Sequence, residues 1–244
     1  MTTATLWACV ILAGSLQLAS GNDQPSLGLP DPNPLFLTPY INACMYGDAK
    51  NKSFVDIFKM YDPNASAYSG YITVNETANS SLFFLFVEAQ ENRSSAPLML
   101  WTPGGPGLSA IFSLLLQNGP LAFNGTPYLS PRELTIQRSM SVIYLDAPVG
   151  AGFSFTSTAY PKVLDDVTRD IIAFLTQFLQ LFGEYKDREF YAGGDSYGAR
   201  YSVALAHEML RNPRPELPLN FQGVIGGNGF LGPIYQIADS SDFL

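Results

Sequence analysis

From Tyr68 the chain passes through two stretches, "YSGYITVN" and "SLFFLFVEAQ", rich in aromatic and β-branched residues and joined by a short polar connection. That pattern predicts a β-hairpin. Four later runs, "PLMLWT" (97 to 102), "SVIYLD" (141 to 146), "EFYAG" (189 to 193) and "FQGVIGG" (221 to 227), are apolar and closed by Gly, Pro or Asp. They read as buried, mostly parallel strands. Between them the period changes: Val167, Ile171, Phe174, Leu175, Phe178, Leu179 and Phe182 recur at three- and four-residue spacings. This predicts an amphipathic helix from about Leu164 to Phe182, ended by Gly183. A second helix is expected from Ser196 to about Leu210, stopping at Asn212-Pro213. Upstream, the proline-rich "QPSLGLPDPNPLFLTPY" reads as an extended arm. Hairpin first, then strands alternating with helices, predicts an α/β fold: a mixed, mostly parallel sheet with flanking helices.

Composition narrows the setting. With 244 residues, 47% apolar and 14% charged, the chain can bury one substantial core. A net charge of -8 and a pI near 4.5, with no basic run, argue against nucleic acid or an anionic membrane surface as partner. Leu6 to Leu16 is apolar and followed by "LASGN", so residues 1–21 are expected to be a signal peptide, with Ala19 and Gly21 at the cleavage positions. The run falls short of the ~20 apolar residues that span a bilayer. Residues 22–244 are expected to form part of a single domain.

Asn51, Asn64, Asn75, Asn79, Asn92 and Asn124 each head an Asn-x-Ser/Thr sequon, which points to the secretory pathway and to loops presented to solvent. Cys9 would leave with the leader, so the mature chain keeps only Cys44 and no internal disulfide. Cys44 is then either a buried thiol or a partner for a cysteine elsewhere. No motif calls for a metal or cofactor.

The chemistry concentrates at Gly194-Asp195-Ser196-Tyr197-Gly198, between an apolar strand and a helical stretch. That is the strand-turn-helix setting of a G-x-S-x-G nucleophile elbow, in which the glycines allow a tight turn that exposes the serine hydroxyl. Ser196 is the candidate nucleophile. The backbone N–H of Tyr197, next in sequence, is one candidate oxyanion donor, and "TPGGPG" (102 to 107) offers another.

"PLFLTPYI", "SGYITVNET", "LFFLFVEAQ", "PLMLWTPGGPG", "NGP", "YLDAPVGAGFSF", "EYKDREFYAGGDSYGARY" and "NFQGVIGGNG" together resemble the serine carboxypeptidases of the α/β-hydrolase fold, nearest the vitellogenic carboxypeptidase-like branch. The match runs collinearly from about Pro34 to Gly229. It implies removal of C-terminal residues from peptides or proteins through an acyl-enzyme on Ser196, with Gly105 and Tyr197 N–H groups as oxyanion donors. It also implies a secreted, lysosomal or vacuolar location.

Two positions depart from the family pattern. Members hold the substrate's terminal carboxylate through an Asn in "NGGPG" and a Glu directly before the serine; here these are Pro103 and Asp195. Pro103 has neither an amide side chain nor an N–H, and Asp195 is one methylene shorter than Glu. Gly198-Ala199 reverses the usual Ala-Gly order, and Leu108 stands where many members have cysteine.

The base is also missing. His207 is the only histidine, eleven residues past Ser196 on the expected helix, which at ~1.5 Å per residue is roughly 16 Å away. It reads as an ordinary helix histidine. Asp239 and Asp242 read as solvated residues. The expected sheet is therefore incomplete at its C-terminal end, stopping near the family's cap region. Three readings stay open: a piece of a longer carboxypeptidase, an acyltransferase or esterase on the same scaffold, and a non-catalytic secreted homologue.

Overall fold

Strand β3 (Leu98–Thr102) sends Leu98 and Leu100 to one core and Met99 and Trp101 to another, and all four are buried. A strand covered on both faces has no solvent side, which is why its sequence shows no polar alternation. The computed structural model describes residues 33–232 apart from Tyr61, Thr126, Pro127 and Ala159. The expected leader, Asp239 and Asp242 lie outside the described residues.

The other strands are β1 (Ala67–Asn75), β2 (Ser80–Val87), β4 (Leu121–Phe123), β5 (Leu129–Pro131), β6 (Ser141–Leu145), β7 (Glu189–Asp195) and β8 (Asn220–Gly227). The main sheet has the order β1-β2-β6-β3-β7-β8, and β4-β5 forms a separate pair. The expected hairpin is β1-β2, with Ile72 opposite Leu82, and β2 runs antiparallel to β6. β3 is parallel to β6 and to β7, and β7 is parallel to β8. The mixed, mostly parallel sheet is thus borne out.

The helices are α1 (Thr38–Asn42), α2 (Tyr46–Ser53), α3 (Ala110–Ser113), α4 (Leu164–Leu181) and α5 (Gly198–Arg211). α4 turns its apolar stripe onto the sheet: the Phe178 ring meets Phe86 of β2 edge-on at 5.0 Å, and Phe174 meets Phe84 at 5.4 Å. On the opposite face, Ala110, Leu114 and Leu121 cluster with Met99, Trp101 and Tyr144. α3 continues into a π turn, Leu114–Asn118, whose carbonyls are held from outside. Arg132 donates to Leu115 O and Gly119 O, and Thr135 donates to Asn118 O.

Three expectations need correction. Within the proline-rich arm, Thr38–Asn42 is helical, because Pro39 falls in the first turn where its missing N–H has no helical partner to lose. α5 begins at Gly198, not Ser196, because Ser196 has φ +51 and a left-handed residue cannot open a right-handed helix. Cys44 is free and exposed, just past α1, with the Tyr46 hydroxyl 3.8 Å from its sulfur; it is not a buried thiol. No helix among the described residues is long and apolar enough to cross a membrane.

Candidate active site

The parallel register brings the carboxyl ends of four strands to one edge: Thr102 of β3 stands beside Gly194 of β7, and Asp195 beside Gly227 of β8. β6 ends at the same edge with Leu145, followed by Asp146. In open α/β sheets this edge is where ligands bind.

Ser196 sits there between β7 and α5. Its positive φ is fixed from both sides: its N–H donates to Gly227 O at 2.8 Å and its carbonyl accepts from Phe230 N at 2.9 Å. The flanking glycines serve close approach. A Cβ on Gly194 would stand 2.5 Å from the carbonyl carbon of Gly198, and one on Gly198 would collide with Thr102 O and stand 2.6 Å from Pro103 O. The strain of the elbow is thus carried by the serine, and the glycines let β7, α5 and the end of β3 meet.

The structure brings the glycine-rich loop to the serine. A Cβ on Gly104 would lie 2.7 Å from Ser196 Cβ and 3.3 Å from Ser196 Oγ. Gly105 has φ +120, a conformation that favours glycine, and is exposed. Tyr197 is half-buried, with Tyr201 edge-on at 5.4 Å and the Arg200 guanidinium 4.9 Å from its ring centre.

Asp195 is half-buried, and its Oδ2 accepts from Gln117 Nε2 at 3.1 Å. No ion pair to Asp195 occurs among the described residues. Pro103 is buried, its carbonyl turned toward Gly198. His207 is exposed on α5, 3.4 Å from Arg211 Nη1, and lines a groove of about 630 Å³ between α4 and α5. The described residues contain no cluster that would hold a metal.

Sequence reading assigned no role to Asp146, which lies fully buried at the end of β6. Its carboxylate accepts from Ser109 Oγ at 3.0 and 3.1 Å, from Ala110 N at 2.6 Å and from Phe153 N at 2.7 Å. Burial lifts its pKa to about 6, and the bonds from Phe153, Ala110 and Ser109 restrain the rise. The only sequence signal was an aspartate closing an apolar strand before "APVGAGFS". Gln117 was missed as well, since its contact with Asp195 spans 78 residues.

All six sequon asparagines are exposed: Asn51 on α2, Asn75 at the end of β1, and Asn64, Asn79, Asn92 and Asn124 in connections.

The serine carboxypeptidase family model matches residues 59–244. A probable serine carboxypeptidase, CPVL, from Homo sapiens is 40% identical over 214 residues, covering 86% of this chain and 44% of the relative. The vitellogenic carboxypeptidase of Aedes aegypti is 33% identical over 223 residues, covering 91% and 47%. The chain therefore spans about half the length of these relatives. Among solved structures, Kex1(delta)p, a prohormone-processing carboxypeptidase from Saccharomyces cerevisiae, superposes with a TM-score of 0.67 at 22% identity, covering 73% of this chain and 41% of that one. The elbow, the sheet order and these matches agree: the chain has an α/β-hydrolase-type fold and belongs to the serine carboxypeptidase family.

Proposed function

We propose that Ser196 is the nucleophile of a serine-type carboxypeptidase that releases C-terminal residues from peptides and proteins. The observation that carries this reading is a serine held at φ +51 at the carboxyl edge of the sheet, with the Gly104 backbone packed against its Cβ. In the proposed reaction Ser196 Oγ attacks the carbonyl carbon of the last peptide bond. The N–H groups of Gly105 and Tyr197 donate to the oxygen as it gains negative charge. The carbon–nitrogen bond then breaks, the leaving amine takes the proton that came from the serine, and water hydrolyses the acyl-enzyme. The proton transfer needs a base, and His207 on the outer part of α5 does not supply one. We therefore assign negligible turnover to this chain by itself. The exposed sequons and the acidic composition support an N-glycosylated protein of the secretory route, secreted or lysosomal.

A second reading, transfer or hydrolysis of esters on the same scaffold, is favoured by Asp195 and Pro103. Together they offer an approaching carboxylate a like charge and no donor, though the Gln117 amide beside Asp195 tempers this. The two readings separate by product. The protein isolated from its natural source, given a peptide with a free C-terminus, should release the terminal amino acid, detected by mass spectrometry, and Ser196→Ala should abolish release. Cleavage of esters with no release from peptides would favour the second reading.

A further inference from the structure

The buried Asp146 carboxylate joins two loops that meet at the nucleophile. On one side it holds Ser109 Oγ and Ala110 N, where the chain leaves the glycine-rich loop and enters α3. On the other it holds Phe153 N, while the Asp146 carbonyl accepts from Ser154 Oγ at 2.6 Å. The loops also bond directly, Gly152 N donating to Gly107 O at 3.3 Å. Gly152 has φ +52, and a Cβ there would collide with Asp146 Oδ2 and stand 2.8 Å from Ser109 Cβ. A side chain at position 152 would therefore push the clamp apart.

We propose that Asp146 is the positioning residue that sets the Thr102–Gly107 loop against Ser196 by clamping it to the 148–154 loop. The proposal rests on the reading of Gly105 as an oxyanion donor, since placement of that loop matters to reactivity only if it faces the reacting carbonyl. The chemistry selects a carboxylate. It only accepts, so two oxygens can receive two backbone N–H groups and a hydroxyl, whereas an asparagine at the site turns an N–H₂ toward one of those donors. A buried amide N–H without an acceptor is strongly disfavoured, so the loop must shift to satisfy it. The Tyr71 phenol on β1, two strands from β6, feels this charge: it is raised first by burial and then by Asp146.

The test compares the 244-residue chain with Asp146→Asn and, as a milder variant, Ser109→Ala, which leaves the carboxylate and removes one donor to it together with the cap that Ser109 Oγ gives Ile111 N. Hydrogen exchange followed by mass spectrometry should show segments 103–112 and 148–155 exchanging at least tenfold faster in Asp146→Asn, with β7 and α5 unchanged. Ser109→Ala should show the same pattern more weakly. Labelling of Ser196 by a fluorophosphonate, with imidazole added as external base, should reach the same final stoichiometry at least tenfold more slowly. Mere loss of structure would lower the end point instead. Wild-type exchange in both loops, or equal acceleration across the whole chain, would overturn the clamp. If Asp146→Asn does not fold, Ser109→Ala decides: loosening of 148–155, which the lost cap of α3 does not touch, supports the clamp and its absence overturns it. Loosened loops with an unchanged labelling rate would leave the clamp standing and refute the oxyanion assignment of Gly105.

Discussion

A serine at φ +51 is held in a conformation that costs an L-residue roughly 1–2 kcal/mol. If that strain belongs to the elbow, Ser196→Gly should be more stable than Ser196→Ala by about 1 kcal/mol, although both lose the hydroxyl. Urea midpoints of the two variants check this, and equal midpoints would mean the turn is not strained. Asp146 gives a second prediction, with its sign set by the direction of the shift. Its pKa is raised from 3.8 to about 6, so between about pH 4 and pH 6 the folded form binds more protons than the unfolded one. Its contribution is therefore fully present below about pH 4, falls by about 1.4 kcal/mol per pH unit across the window, and is gone above it. Asp146→Asn should lack this slope, which urea titrations at pH 4, 5 and 7 would show. The ionised clamp thus costs stability, as expected where a polar group is buried for its position.

The elements legible in the sequence were those whose side chains meet a wide, continuous core. β3 and β6 showed as apolar runs because both faces are covered, β7 showed a shorter one from Phe190 to Gly194, and α4 showed its 3.6 period because one face packs on β2. Short or polar elements gave no such signal. α2 carries Asp48, Lys50 and Lys52, α1 hides within a proline-rich stretch, and β4 and β5 are three residues each. At the site, Ser196 was legible because an elbow is a local motif. Gln117 facing Asp195 and Asp146 facing Ser109 were not, because each pairing is made by the register of parallel strands. The aromatic contact of α4 with β2 makes a quantitative prediction: Phe178→Ala, at a fully buried ring between Phe84 and Phe86, should cost about 3–5 kcal/mol in a denaturant titration. A loss below about 1 kcal/mol would mean the face is loosely packed.

Across the whole molecule, six exposed sequons predict that a glycosidase will lower the apparent mass of the protein isolated from its natural source by several glycans, and an unchanged band would refute that expectation. β8 pairs only with β7 among the described residues and leaves Val224 and Ile225 each 38% exposed, so the isolated chain should bind hydrophobic dyes or self-associate. A monodisperse monomer without dye binding would contradict that. The central proposal is that Ser196 stands in a formed nucleophile elbow that no base among the described residues reaches. Fluorophosphonate labelling of the 244-residue chain tests it most directly. The account predicts negligible labelling in plain buffer, where an unactivated alcohol depends on binding and the oxyanion hole alone, and labelling at Ser196 that rises with added imidazole and vanishes in Ser196→Ala. Rapid, Ser196-dependent labelling in plain buffer would show that a base within the chain reaches the serine, and would contradict it.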